Sequence, residues 1–316
     1  MAKPPYLVLL YYLYVDIEAP MSYRDQQRVL CAGLDLLGRI IVAKEGINGT
    51  VSGTRASCEA YMKAMHADPL TADMTFKIDE ESDHVFPKLS VKARDEIVTL
   101  GLQNEDFSPN ETTGNHLSPA EWKAAMDESD TVILDARNDY EFDLGHFKNA
   151  IRPDIGNFKE LPTWINEHRS ELEGKKILTY CTGGIRCEKF SGYLVREGFD
   201  NVNQLLGGIV EYGKDPTVRG ENYDGECYVF DQRIGVPINH VNASIVSSCC
   251  HCDVKSSRYI NCAYTPCNAQ HFCCAACEEK SQRYCGEDCR VADAVLHANK
   301  AAALADAADA KSGDPE

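Results

Sequence analysis

A short loop that can present a reactive sulfur is formed by Cys181, Thr182, Gly183, Gly184, Ile185 and Arg186. It joins an apolar stretch over residues 177–180, a predicted strand, to a predicted helix over residues 187–197. Open α/β sheets bind ligands at the carboxyl ends of their strands. Glycines let backbone N–H groups turn inward, and the helix N-terminus adds partial positive charge. Both effects favour thiolate over thiol, so the pattern predicts a catalytic, nucleophilic Cys181 with a lowered pKa.

The distance from this cysteine to the next arginine separates two kinds of chemistry. Cysteine phosphatases use a similar loop with arginine six positions after the cysteine, but here Cys187 occupies that position and Arg186 precedes it. The shorter loop suits a sulfur atom better than a phosphate group, which disfavours a phosphatase. Cys187 either approaches Cys181 as a resolving thiol or packs in the core, and the sequence leaves both alternatives open.

Ten of the 15 cysteines lie between residues 249 and 289. The sequence shows no secretory signal. Closely spaced cysteine pairs therefore indicate metal binding rather than disulfides. The predicted ligands form two cross-braced zinc sites, Cys249, Cys252, Cys274 and Cys277 in one and Cys262, Cys267, Cys285 and Cys289 in the other. The spare or alternative ligands are Cys250, Cys273, His251 and His271. Because the segment has little apolar sequence, its zinc is expected to be structural and required for folding.

The elements that must position these residues fall into three regions. Residues 1–102 show the order β-α-β-β-α-β, which predicts an α+β ferredoxin-like (acylphosphatase-like) domain. Polar residues 103–116 are expected to form a linker. Residues 117–240 alternate strands and helices, which predicts an α/β domain with a parallel sheet and helices on both faces. Residues 241–316 are expected to form the zinc module and a helical, acidic tail.

Three local signals give sharper expectations about these elements. Asn48-Gly49 predicts a hairpin turn in the first domain. A helix that begins near Ser22 is expected to end at Gly38. In the second domain, Ser118-Pro119 predicts the start of a helix.

The net charge of −17 excludes nucleic-acid binding through a generally basic surface. A nucleic-acid partner would need a local patch, and the first domain offers Arg39, Lys44, Lys77, Lys92 and Arg94, with Arg55 and Lys88. These side chains either gather to meet phosphates or are scattered solvated charges, and both alternatives stay open. No apolar run approaches the roughly 20 residues of a membrane span. A cytoplasmic location without a membrane partner is therefore expected, and the sequence does not indicate the oligomeric state.

Segments outside the cysteine loop carry a resemblance to the rhodanese family. They are residues 135–142 (DARNDYEF), 145–150 (GHFKNA) and 206–208 (LGG). The resemblance, spread over residues 117–215, implies a rhodanese domain in which Cys181 is the nucleophile. It also implies that Asp135 and Arg137 are architectural and that His146 caps or packs.

Further segments resemble one branch of that family, the rhodanese-related tRNA uridine(34) hydroxylases. They are residues 38–53 (GRIIVAKEGINGTVSG), 91–101 (VKARDEIVTLG) and 225–233 (GECYVFDQR). The resemblance implies oxygen-dependent hydroxylation of the wobble uridine, in the anticodon region of tRNA, to 5-hydroxyuridine. It further implies that Cys181 is essential and carries a persulfide. Molecular oxygen would be the co-substrate, and no flavin, haem or nicotinamide motif is found.

Two other functions remain compatible with the residues. The Cys181 loop by itself is typical of a sulfurtransferase that moves sulfur from thiosulfate or a persulfide. A non-catalytic zinc and rhodanese interaction module is the third alternative. It is the least favoured, because such modules arise when the loop cysteine is lost and Cys181 is present.

Overall fold

The computed structural model describes residues 3–102 and 107–312. Residues 103–106 of the predicted linker and the last residues of the predicted acidic tail, 313–316, lie outside the described residues. The chain divides into two compact units, Met1–Ser244 and Ile245–Glu316. Within the described ranges, no helix has both the length and the apolar character needed to cross a membrane.

The first domain is a five-stranded sheet with two helices. Its elements are β1 (Tyr6–Tyr14), α1 (Pro20–Gly33), β2 (Leu37–Ala43), β3 (Gly46–Thr54), α2 (Arg55–Ala67), β4 (Phe76–Glu81) and β5 (Leu89–Ala93). The strand order is β4-β1-β3-β2-β5, and β5 runs parallel to β2 while the other pairs are antiparallel. The predicted ferredoxin-like fold is confirmed, with β5 as an added edge strand.

Alternating residues along β1 divide this sheet into two different faces. Leu7, Leu9 and Tyr11 pack into the core that includes Cys31 of α1 and Tyr61 of α2. The intervening residues of β1 point to the opposite face. That second face is turned toward the Cys181 loop of the second domain, as described below.

The predicted hairpin turn was placed wrongly. Ala43 pairs with Gly46, so the chain reverses at Lys44-Glu45, and Asn48-Gly49 lies inside β3. Gly49 serves packing instead, because a Cβ there would lie 2.4 Å from the hydroxyl oxygen of Tyr11.

The predicted end of the first helix was also wrong. Helix α1 ends at Gly33, and the chain turns through Asp35 with a positive φ of 52°. Gly38 lies within β2 at a φ of 155°, where a Cβ would lie 2.2 Å from the carbonyl oxygen of Thr50. This glycine therefore permits close strand packing rather than ending a helix.

The second domain is built on a parallel sheet. Its elements are β6 (Asn115–Leu117), α3 (Pro119–Ala125), β7 (Thr131–Asp135), α4 (Asp139–Leu144), β8 (Gly145–Phe147), β9 (Ala150–Ile151), α5 (Leu161–Glu167), α6 (Arg169–Leu172), β10 (Lys176–Tyr180), α7 (Ile185–Arg196), β11 (Val202–Leu205), α8 (Gly208–Lys214), β12 (Tyr223–Tyr228) and β13 (Gly235–Pro237). The parallel strand order is β6-β11-β10-β7-β9, which makes β10 the central strand. Strand β12 pairs antiparallel with β13 and with β8.

Helices cover both faces of this sheet, as predicted. On one side Ile177 lies in the core that contains Phe190 and Leu194 of α7. On the other side Leu178 lies in the core that contains Trp122 of α3 and Tyr212 of α8. Helix α3 begins after Ser118, whose hydroxyl accepts a hydrogen bond from the Glu121 N–H at 3.4 Å in a reciprocal capping box.

Helix α7 is the main point of attachment between the two domains of this unit. Lys189 is 5% exposed, and its ammonium lies 2.8 Å from a carboxylate oxygen of Glu45 and 2.6 Å from one of Glu96. The Tyr14 hydroxyl donates to the Ile185 carbonyl at 3.1 Å. These contacts hold the open face of the first sheet above the Cys181 loop.

The C-terminal unit is small and rich in cysteine. Its elements are β14 (Tyr259–Asn261), β15 (Gln270–Phe272), α9 (Ala275–Ser281) and α10 (Glu287–Ser312). Strands β14 and β15 form an antiparallel pair. The buried side chains of one of its clusters are Cys249, Cys273 and Cys277, so sulfur takes much of the place that a larger apolar core would have.

Candidate active site and metal centres

The Cys181 loop closes over its own sulfur. Cys181 follows β10, is 1% exposed, and its Sγ accepts the Gly184 N–H at 3.1 Å. Gly184 takes a φ of 102°, which favours glycine and turns that N–H inward. The strand and the glycines therefore lie where the sequence predicted them, whereas α7 begins at Ile185, two residues before the predicted start at Cys187.

A second glycine pair supports the loop from below. The N–H groups of Ile209 and Val210 donate to the carbonyls of Cys181 and Thr182 at 3.0 and 3.1 Å. A Cβ on Gly208 would lie 2.6 Å from the Cys181 carbonyl oxygen, so a side chain there would displace the loop. The Leu206-Gly207-Gly208 segment is thus part of the active-site architecture.

The surroundings of Cys181 favour its thiolate form. Burial disfavours the charged form, but the Cys187 thiol, the Arg186 charge and the N–H groups of Cys187 and Gly184 outweigh it. Together they lower the pKa of Cys181 to about 6. A buried, nucleophilic sulfur anion is the chemical group that this loop provides.

Cys187 supports that anion as a neutral hydrogen-bond donor. It is fully buried, and burial together with the adjacent Cys181 sulfur raises the pKa of its thiol well above the usual range. Its Sγ also lies 3.9 Å from the Thr179 hydroxyl. Cys187 is therefore packed in the core beside Cys181, and its role as a resolving thiol stays a prediction.

Arg186 is held by a carboxylate that sequence reasoning did not assign to the site. Glu141 of α4 is fully buried and binds the guanidinium of Arg186 through two contacts of 2.7 and 2.8 Å. The Thr182 hydroxyl also accepts from Arg186, at 3.2 Å. Because this fork is already engaged, Arg186 shapes the loop and is not free to grip a phosphate group.

A cavity of about 480 Å³ lies between the Cys181 loop and the open face of the first sheet. The loop side includes Cys181, Gly183 and Arg186. The sheet side includes Val8, Leu10, Tyr12, Arg39, Ile41, Asn48, Thr50, Lys77 and Asp79. Both domains of this unit are therefore needed to enclose the reactive sulfur.

The structure brings only part of the predicted basic set to this cavity. Arg39 and Lys77 line it, and the side chain of neither forms a hydrogen bond or ion pair with any of the residues described. Lys77 is 9% exposed, its ammonium lies 5.1 Å from the centre of the Tyr12 ring, and burial lowers its pKa. The exposed side chains outside the cavity are Lys44, in the β2–β3 turn, Lys92, on β5, and Arg94, just after β5.

A polar network that the sequence did not reveal joins the two domains beside the loop. Glu188 of α7 accepts hydrogen bonds from the hydroxyl of Tyr12 at 3.1 Å and from the amide of Gln204 at 3.1 Å. His116 lies 3.0 Å from the same carboxylate. Burial opposes the charge on Glu188, but these bonds lower its pKa, so Tyr12 is held against a carboxylate.

Asp135, Arg137 and His146, which the rhodanese resemblance predicts to be architectural or packing residues, all make structural contacts. Arg137 is 1% exposed and forms a buried ion pair of 2.6 Å with Asp135. It also donates to the Gly145 carbonyl at 2.7 Å. His146 stacks on Phe142 and its Nδ1 lies 2.9 Å from the Phe142 carbonyl oxygen.

The C-terminal unit assembles two groups of four sulfurs with the predicted cross-braced membership. They are Cys249, Cys252, Cys274 and Cys277, and Cys262, Cys267, Cys285 and Cys289, with all sulfurs of a group within 4.8 Å of one another. The sulfurs of Cys252 and Cys274 lie 3.7 Å apart in the first group, and in the second the Cys285 sulfur lies 3.8 Å from that of Cys267 and 3.5 Å from that of Cys289. A tetrahedral zinc site with Zn–S bonds of about 2.3 Å has edges of about 3.8 Å, so both groups fit the ion. Cys273 is buried outside both groups.

The fold and the cysteine loop define a protein of the rhodanese class. Three family models match along the chain in order. They are the UPF0176 acylphosphatase like domain over residues 6–97, the Rhodanese-like domain over residues 118–215 and the Rhodanase C-terminal domain over residues 224–290.

Curated relatives match over nearly the whole chain. The tRNA uridine(34) hydroxylase of Shouchella clausii (strain KSM-K16) is 56% identical over 286 residues, which cover 90% of this chain and 89% of that protein. The protein of that name from Bacillus mycoides (strain KBAB4) is 56% identical over 287 residues, covering 91% and 90%. The chain belongs to the tRNA uridine(34) hydroxylase family, which confirms the resemblance drawn from its motifs.

Proposed function

We propose that this protein converts the wobble uridine of tRNA to 5-hydroxyuridine with molecular oxygen, and that Cys181 is its essential reactive group. The name that its relatives share supports the substrate and the reaction. The observation that carries the proposal is the placement of a low-pKa sulfur inside a cavity that two domains enclose.

The cavity has the size and lining for a single flipped nucleotide. About 480 Å³ lies within the range of small-ligand pockets. A base in an anticodon loop is already single-stranded, so turning it into a pocket costs less than from a duplex. Phe230 lines the cavity and is 47% exposed, which makes it a stacking surface for an incoming base.

Two of the cations that line the cavity, Arg39 and Lys77, match a polyanionic substrate. Arg39 is exposed and suits a backbone phosphate, whereas Lys77 is nearly buried and suits an oxygen of the base or its phosphate. Asp79 on the cavity wall is already paired, with Arg233 of the same wall at 3.0 Å and with Lys214, which does not line the cavity, at 2.6 Å. An acidic protein can thus bind tRNA through a local site rather than a basic surface.

The net conversion replaces the hydrogen on C5 of uracil with a hydroxyl group. It therefore consumes dioxygen and a pair of reducing equivalents and releases water with the second oxygen atom. Within this chain, Cys181 supplies the sulfur anion, as a thiolate or as a persulfide. Inward N–H groups and the Cys187 thiol stabilise its charge, and the burial of Cys181 at the base of the cavity limits the access of bulk water to its sulfur.

The two four-sulfur groups suit structural zinc. All four protein positions around each ion are taken by cysteine, which leaves no open position for a substrate. We place this zinc in the folding of the C-terminal unit and not in the hydroxylation step.

Sulfur transfer is the second candidate function, because a low-pKa cysteine whose sulfur accepts the N–H groups of Gly184 and Cys187 also suits a persulfide carrier. Nucleosides of tRNA would be measured by mass spectrometry from cells that lack their own hydroxylases and express this protein, Cys181→Ser or Cys58→Ser. Cys58 is buried far from the loop in the first domain, and its thiol donates to the carbonyls of Leu7 and Gly53, which a serine can also do.

Hydroxylation predicts 5-hydroxyuridine with the unmodified protein and with Cys58→Ser, and none with Cys181→Ser. Absence of 5-hydroxyuridine in all three strains, together with Cys181-dependent transfer of sulfur from thiosulfate to cyanide, would replace the proposal with the second candidate.

A further inference from the structure

A third set of metal-ligating side chains lies in the C-terminal unit outside both four-sulfur groups. The thiol of Cys250 and one ring nitrogen each of His251 and His271 lie within 4.8 Å of one another. The Cys250 N–H donates to the Phe272 carbonyl at 2.9 Å. This bond ties the turn that carries Cys250 and His251 to β15, the strand that carries His271.

His271 is the unusual member of this cluster. It is 9% exposed, yet both of its ring nitrogens are buried and neither has a hydrogen-bond partner within the described part of the chain. A buried polar nitrogen without a partner costs free energy, and native structures rarely leave one in that state. Two unpartnered nitrogens on one ring therefore point to a partner of another kind, such as a metal ion.

His251 and Cys250 are the other two side chains of this cluster. His251 is exposed, and its ring stands edge-on to that of His271, with centroids 5.9 Å apart and planes at 88°. Cys250 is also exposed, so this side of the cluster opens to solvent. One thiolate and two imidazoles suit zinc and other late divalent transition metals rather than calcium or magnesium.

We propose that Cys250, His251 and His271 bind a third zinc ion, with a water molecule in the remaining position. Three protein ligands and one open position distinguish this site from the two four-sulfur groups. Because two of its ligands are exposed, this ion should exchange with solvent faster than the other two. Its three ligands belong to the C-terminal unit, and the proposal does not depend on the proposed hydroxylation.

Metal content of the full-length protein tests the proposal. Protein saturated with zinc and freed of excess should hold three ions per chain, and His271→Phe and His251→Ala should each hold two. His271→Phe keeps an aromatic ring in the buried position. His297→Ala, which removes an exposed histidine of α10 in the same unit, should still hold three. Two retained ions in a variant also show that its four-sulfur groups have formed.

Release kinetics and cobalt spectra supply independent readouts. A coloured chelator should remove one zinc from the unmodified protein in a fast phase and two in a slow phase, and the fast phase should vanish in His271→Phe. With cobalt, that variant should lose one set of d–d bands and keep the thiolate charge-transfer bands of the other two ions. Two zinc ions in the saturated unmodified protein, or three in both histidine variants, would overturn the third site.

Discussion

Replacing Cys187 with alanine or serine tests how the Cys181 thiolate is stabilised. The Cys187 thiol donates to the Cys181 sulfur, whose pKa is about 6, so about nine-tenths of Cys181 is thiolate at pH 7. Hydrogen bonds to charged groups contribute roughly 1.5–3 kcal/mol, and a thiol is a weak donor at the low end of that range. Cys187→Ala should therefore raise the pKa of Cys181 by about one and leave about half as thiolate at pH 7. Serine keeps a donor, so Cys187→Ser should hold the pKa near its original value.

The pKa would be read from the pH dependence of iodoacetamide alkylation of Cys181, followed by mass spectrometry of the peptide that contains it. In the unmodified protein, alkylation and kcat/KM should both fall as the pH drops below about 6, because the thiolate is protonated there. A resolving thiol would show the opposite pattern, with alanine and serine equally inactive and the pKa unchanged. That result would refute the assignment of Cys187 as a donor. Thermal unfolding of each variant controls for loss of packing at this buried position.

Three further predictions concern other parts of the molecule. Lys77→Met should lower kcat/KM for tRNA by about tenfold or more through loss of a buried charged contact, whereas Lys92→Met, outside the cavity, should change it by about twofold or less in a tRNA kinetic assay. Glu141→Gln leaves the Arg186 charge buried without its partner and should lower the free energy of unfolding by about 3–5 kcal/mol in denaturant titration, and an unchanged midpoint would contradict that buried pair. Chelation should expose residues from 245 onward to protease while residues 3–244 keep their own thermal transition, and equal protection with and without chelator would contradict a structural role for the metal.

Local patterns were enough to predict the reactive loop. Strand, glycines, helix and cysteine are neighbours in sequence, so backbone geometry and helix polarity act within a few residues of Cys181. The grouping of eight cysteines into two sets of four that could hold metal ions was predictable for a similar reason, because cross-bracing leaves few ways to pair closely spaced cysteines.

Long-range partners were not predictable from the same patterns. Glu141 reaches Arg186 from a separate helix, and Tyr12 reaches Glu188 from another domain. Nothing in the spacing of these residues distinguishes them from other glutamates and tyrosines. Only the docking of the first sheet on α7 shows that the cavity has two walls and that Lys77 faces it.

The Asn48-Gly49 turn was predicted wrongly because its glycine has a packing role. Asn-Gly is a strong hairpin signal because both residues tolerate positive φ. In β3, however, the Tyr11 ring packs against Gly49 and leaves no room for a side chain there. The two-residue turn is formed by Lys44 and Glu45 instead. Tertiary packing can therefore select a glycine that local turn chemistry also explains.

The most direct test of the central claim follows oxygen into the product. Purified protein, unmodified tRNA and a reductant would be incubated under isotopically heavy dioxygen, and 5-hydroxyuridine would be analysed by mass spectrometry. Heavy oxygen is expected in the wobble nucleoside with the unmodified protein, and no product is expected with Cys181→Ser. Product formed at the same rate by Cys181→Ser, or product that carries oxygen from water alone, would contradict the central claim.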